Sequence, residues 1–214
     1  MTQYAEFDPT ALYAGEGPYH SRPVTIGAAG AVTERGTLLG HQTIGAVTAA
    51  AKAGGNTGTG TCVPDATTPA LANAQPGTYK IVFTSATAYN VLDPKGDQIG
   101  QGATGTAFAT QIKVMVAAGG TPYVAGDGWN VTVAAADRYI PSVATALDGS
   151  QVPSAIVAAD IDTTGGDATG PCYFDGGFAF EAMTIDASWS VSTLGAAFRA
   201  NNIPLFVHTA GTLG

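Results

Sequence analysis

Apolar and polar residues alternate with a period of two along much of the chain, and that period predicts strands. Residues 77–84 (GTYKIVFT) place Tyr79, Ile81 and Phe83 on one face. Residues 112–117 (IKVMVA) set Ile112, Val114 and Val116 opposite Lys113 and Met115, and Trp129, Val131 and Val133 share a face in the next alternating run. Turn chemistry separates these runs. In DPKGD at residues 93–97, Pro94 fixes φ and Gly96 tolerates a positive φ, which predicts a hairpin between residues 89–92 and 98–100. Gly119-Gly120 and Gly126-Asp127-Gly128 mark further turns. Short strands at this spacing predict a small Ig-like domain or β-sandwich.

The flanks read differently. Residues 21–26 form a strand entered through Arg22-Pro23, and Thr37-Leu38-Leu39 centre a short second one. Residues 148–167 (DGSQVPSAIVAADIDTTGGD) read as turn, buried strand, turn, because Asp and Gly suit turns while Ile and Val fit a pleated surface. Residues 178–185 (FAFEAMTI) alternate, with Phe178, Phe180, Ala182 and Thr184 on one face, and predict a further strand. The 3.6 period appears in residues 189–201, where Val191, Leu194 and Phe198 fall at i, i+3 and i+7. Ser190 or Ser192 can cap that helix, Asn201-Asn202 can end it, and Pro204 prevents continuation. A last strand is expected at 205–207. Residues 49–60 (AAAKAGGNTGTG) lack core side chains and are expected as a flexible crossing.

Charge removes whole classes of function. Only 11% of the 214 residues are charged, against about 25% in an ordinary domain. The net charge is −8 with 8 Lys+Arg, so no basic stripe for nucleic acid can be assembled. No apolar run approaches the ~18 residues of a membrane span, and MTQYAEFDPT lacks the regions of a secretory signal. The expectation is a chain kept in the cytoplasm until it joins something, without nucleic acid or membrane as partner. Cys62 and Cys172, far apart and without a CxxC pair, are expected as buried free thiols.

Candidate chemistry is sparse. Asp160, Asp162 and Asp167 faintly resemble an oxygen-ligand loop, but the acidic positions and terminal Glu of a calcium loop are missing, so a strand end and turn are expected. His20, His41 and His208 sit in unrelated contexts without a nucleophile elbow, and the Gly-rich runs lack the Lys-Ser/Thr of a phosphate loop. No enzyme, metal or cofactor is expected. In the N-terminal arm, Tyr4, Phe7, Tyr13 and Tyr19 interleave with Gly, Pro and acids, four aromatics that are costly to leave in water. Tyr79, Tyr89, Tyr123 and Trp129 supply either a sugar-stacking face or the core of the middle block.

Residues 148–167 resemble the centre of the lambda-type head decoration proteins of tailed bacteriophages. Residues 21–40 (SRPVTIGAAGAVTERGTLLG), 176–189 (GGFAFEAMTIDASW) and NNIPLF at 201–206 carry the same resemblance, which covers roughly three-fifths of the chain. It implies a small β-rich decoration-type domain with one short C-terminal helix, interrupted by the middle block. The expected division is an arm at 1–20, the decoration domain at 21–53 and 136–214, and an inserted β domain at 54–135. The resemblance further implies a homotrimer at threefold and quasi-threefold sites of the expanded capsid, on the outer surface of the virion. It would clamp the major capsid protein there, stabilising the head. Tyr4, Phe7, Tyr13, Tyr19, Arg22 and Pro23 are the candidate capsid contacts. The alternative is a phage tail or surface module recognising a host glycan or protein.

Overall fold

The computed structural model describes residues 11–14 and 19–209. It is mainly β. In chain order the strands are β1 (Ser21–Ile26), β2 (Val32–Thr33), β3 (Leu38–Ala51), β4 (Thr61–Pro64) and β5 (Gly77–Phe83). There follow β6 (Ala88–Leu92), β7 (Gln98–Ala103), β8 (Ala107–Ala109), β9 (Lys113–Ala117) and β10 (Gly128–Pro141). The last are β11 (Pro153–Val157), β12 (Ile161–Asp162), β13 (Ala168–Tyr173), β14 (Gly176–Ala179) and β15 (Leu205–His208), with helix α1 (Val191–Ala200) before β15. The chain divides into two compact units, Met1–Gln42 with Asp137–Gly214, and Thr43–Ala136.

The unit Thr43–Ala136 is a β-sandwich. One sheet takes the order β10-β5-β6-β7, the other β4-β9-β8. The alternation read from the sequence faces its core: Tyr79, Ile81, Phe83, Ile112, Val114, Val116, Val131 and Val133 are all at most 1% exposed. Trp129 packs against the same cluster and donates its indole N–H to the Tyr123 hydroxyl at 3.2 Å. Asp93 and Asp97 close the DPKGD hairpin, with Gly96 at φ 94°. The segment expected as a flexible crossing is in part strand: β3 runs unbroken through Ala49 to Ala51. Its small side chains carry little strand signal, but pairing with β10 supplies the backbone partners that fix it.

In the other unit, β13 lies between β1 and β11, all antiparallel, and β11 pairs with β3 at Ala155↔Leu39 and Ile156↔Leu38. Gly40 of β3 sits where Ser150 crosses it. A Cβ there would stand 2.0 Å from the Ser150 carbonyl oxygen. That carbonyl accepts the buried Ser142 hydroxyl at 2.7 Å. Residues 148–152 are therefore held against β3 by a contact that needs glycine.

The strand expected over residues 178–185 is a correction. It stops at Ala179, and Phe180–Ala182 form a 3-10 turn. The alternating pattern had only one partner to satisfy it: β15 pairs in parallel with Gly176–Ala179 and ends at His208, opposite Ala179. Helix α1 begins where Ser190 caps it, with Ser190 and Thr193 forming a reciprocal capping box. Leu194 and Phe198 pack with Leu12, Leu38, Ile156, Phe178 and Leu205 in one core cluster.

Candidate functional site

The described end of the N-terminal arm is built into the fold as a strand. Ala14 N–H donates to the Gly177 carbonyl at 2.9 Å, and Ala179 N–H donates to the Leu12 carbonyl at 3.0 Å. Tyr13 thereby pairs antiparallel with Phe178 on the side of β14 away from β15. Strand alternation sends Leu12 inward, where it is 3% exposed, and leaves Tyr13 outward at 38%.

Around Tyr13 lies an aromatic cluster. Its ring centroid is 4.7 Å from that of Tyr19, 5.7 Å from Tyr173 and 6.2 Å from Phe178. The Tyr13 and Tyr173 hydroxyls are 2.5 Å apart, and the Arg35 guanidinium lies 5.1 Å from the Tyr13 ring centre. The Tyr173 hydrogen bond and Arg35 hold Tyr13 below the ordinary phenol range. The same hydrogen bond raises Tyr173, and burial raises Tyr19. Tyr173 is therefore the donor of the pair and Tyr13 the acceptor.

A second group runs across β1, β13 and β10. The Arg22 guanidinium lies 3.9 Å over the Phe174 ring, which meets Tyr139 edge-on at 5.6 Å. Tyr139 in turn packs 5.0 Å from His41, whose Nε2 is 2.7 Å from Asp137. His20 binds Asp175 through its ring and through its backbone N–H at 2.6 Å. That N–H, ahead of the ring, keeps the Asp175 carboxyl below the usual carboxylate range.

Of the six contacts named from the sequence, Tyr13, Tyr19 and Arg22 stand in these groups. Pro23 lies in β1 opposite Pro171 of β13. Tyr4 and Phe7 lie outside the described residues. The sequence did not single out Tyr173, Phe174 and Phe178 as members of an outward aromatic surface. They lie more than 150 residues from Tyr13, and only the pairing of the arm with β14 brings them together.

The acidic trio disperses. Asp160 accepts the Arg35 N–H at 2.7 Å, Asp162 accepts from Thr164 within its own turn, and Asp167 accepts Ala28 N–H and Arg138. Among the described residues, no three His, Cys, Asp or Glu side chains gather to hold a metal. The sugar-stacking face is also corrected. Tyr79, Tyr89 and Tyr123 are at most 1% exposed and belong to the sandwich core, because alternation points them all inward. Cys62 and Cys172 are buried free thiols, each pushed up to about 12 by burial.

Comparison with known proteins places the chain. Residues 94–203, just over half of it, match the family model described as bacteriophage lambda head decoration protein D. The span takes in residues 148–167 and α1 but stops short of residues 21–40. No curated protein matches the chain. Among solved structures, two crystal forms of Xanthomonas campestris FlgL align at 24% identity over 48% of this chain, with a TM-score of 0.33. The aligned part is about a third of FlgL's own length (34% and 33%), and a likeness of that size carries no argument.

Proposed function

The chain belongs to the bacteriophage lambda head decoration protein D family, and from that premise we propose that it binds as a homotrimer at threefold and quasi-threefold sites of the expanded capsid. The family match is the observation that carries this reading. The partner is the major capsid protein, on the outer surface of the virion, and the subunit is made and held in the host cytoplasm until heads expand. The mechanism is cross-linking: modest contacts, repeated by symmetry, add avidity and hold neighbouring capsid subunits against internal pressure. The low charge supports it, since a surface that is to be buried against partners is cheaper to desolvate without ions.

In this reading the unit Met1–Gln42 with Asp137–Gly214 is the decoration domain and Thr43–Ala136 is inserted in it. The arm delivers Tyr4 and Phe7 to the capsid from the anchor at Leu12, while Tyr13, Tyr19, Arg22 and Pro23 border the contact. The test is co-sedimentation with expanded, undecorated heads, using the full chain and a chain lacking residues 1–10, with light scattering of the free protein. Saturable binding at three copies per threefold site, weakened by the truncation, is the expected result. No binding by the full chain overturns the decoration reading, and equal binding by the truncated chain overturns the arm's role alone.

A further inference from the structure

The sandwich unit exposes a sheet edge without the usual protection. Strand β7 pairs with β6 on one side and with no strand on the other, among the described residues. Edge strands ordinarily carry Lys, Pro or an inward charge that discourages pairing with another chain. Strand β7 reads QIGQGA and has none of these. Beside it an open groove of about 730 Å³ separates β7 from β8, and no charged residue lines it. Gly100 and Gly102 face inward there. A Cβ on Gly102 would stand 2.3 Å from the Tyr89 ring, and one on Gly100 would stand 2.9 Å from Phe108.

We infer that β7 pairs antiparallel with β7 of a second copy of this chain about a twofold axis, making one continuous sheet from two sandwich units. The strand is self-complementary in one register. With Gln101 opposite Gln101 of the second copy, Gly100 falls opposite Gly102 and Ile99 opposite Ala103, so the inward faces of both copies stay on one side. The central Gln side chains are exposed and can exchange amide hydrogen bonds. Charge argues for a second copy as the occupant. The chain carries a net −8, so two copies repel wherever acids meet. On β7 no acid opposes another, because Asp97 falls opposite Gly105 of the second copy. This contact does not depend on the proposed threefold assembly.

The test is disulfide trapping on the full chain. In a directly opposed antiparallel pair the Cα atoms lie about 4.5–5.5 Å apart, within the reach of a disulfide. Gln101→Cys under mild oxidation is expected to give a crosslinked pair of chains on a non-reducing gel. Ala103→Cys, equally exposed, places its two copies four residues out of register, about 13 Å apart, and is expected to stay uncrosslinked. Cys62 and Cys172 are buried and do not compete. Gln101→Lys, which sets two like charges face to face, is expected to shift the sedimenting species to smaller mass at the same concentration. No crosslink from Gln101→Cys, or equal crosslinking from Ala103→Cys, overturns the pairing, as does an unchanged mass distribution in Gln101→Lys.

Discussion

The Tyr13 hydroxyl accepts a hydrogen bond from the Tyr173 hydroxyl at 2.5 Å, joining the N-terminal arm to a strand 160 residues away. The pair splits two otherwise equal phenols, with Tyr13 lowered and Tyr173 raised. In Tyr13→Phe the earlier phenolate step is expected to vanish, and Tyr173 to move back down toward the ordinary value near 10. Ultraviolet phenolate absorbance during an alkaline titration reads both changes. An early step that survives in Tyr13→Phe would show that Arg35 and Tyr173 do not act on Tyr13.

The anchor beneath that pair is Leu12. It is 3% exposed and packs into the cluster of Leu38, Phe178, Leu194 and Phe198. Leu12→Ala is expected to destabilise the fold by about 2–5 kcal/mol, the range for emptying a buried leucine site. Urea unfolding measures this. If the midpoint stays unchanged, the arm's end contributes nothing to the core and can be displaced freely.

Acid should unfold the protein through its capping carboxylates. Asp127 is 2% exposed, and burial works against its charge. The N–H groups of Gly58, Thr57 and Val124 outweigh that, and its carboxyl lies below the ordinary range. Asp162, Asp167, Asp175 and Asp186 shift the same way, each bound by N–H or O–H donors. A carboxyl lowered by folding contributes stability above its unfolded pKa of about 3.9, and that contribution is lost as pH falls through the folded value. The urea midpoint is expected to be flat from neutrality to about pH 5 and to drop below about pH 4. Asp127→Asn should lower the midpoint at neutral pH and make the acid drop shallower. An equally steep drop in the variant would take Asp127 out of this account.

How far the sequence led depended on where the structural information sits. The sandwich strands were legible because Tyr79, Ile81 and Phe83, or Ile112, Val114 and Val116, alternate over a core that their own faces define. Helix α1 was legible from Ser190, Leu194 and Phe198, since a cap and a 3.6 period are local. The second half of β3 was not. Ala49 to Ala51 have no side chain that declares a strand, and only the neighbouring β10 makes them one. Phe178 to Ile185 misled for the converse reason, as side chains alternated where backbone partners ran out at Ala179. The aromatic surface was half legible: Tyr13, Tyr19 and Arg22 were named, but Tyr173 and Phe174 reach it through pairings that no local pattern encodes.

Gly40 offers the sharpest test of how residues 148–152 are held. Its position is not one of positive φ, so alanine brings no backbone strain there, only volume. The added methyl would meet the Ser150 carbonyl oxygen at 2.0 Å and its carbonyl carbon at 2.6 Å, backbone atoms that cannot swing aside as a side chain would. Relief requires moving residues 149–151 off β3, which breaks the Ser142 hydrogen bond to that carbonyl and the Pro153↔Gly40 pairing. Overpacking of this kind costs about 1–3 kcal/mol, with a lost buried hydrogen bond adding about 1 more. Gly40→Ala is therefore expected to lower the urea midpoint. Ser142→Ala, which removes only the hydrogen bond, should lower it less. Equal losses in the two variants would mean that the hydrogen bond, and not the close approach, holds the segment in place.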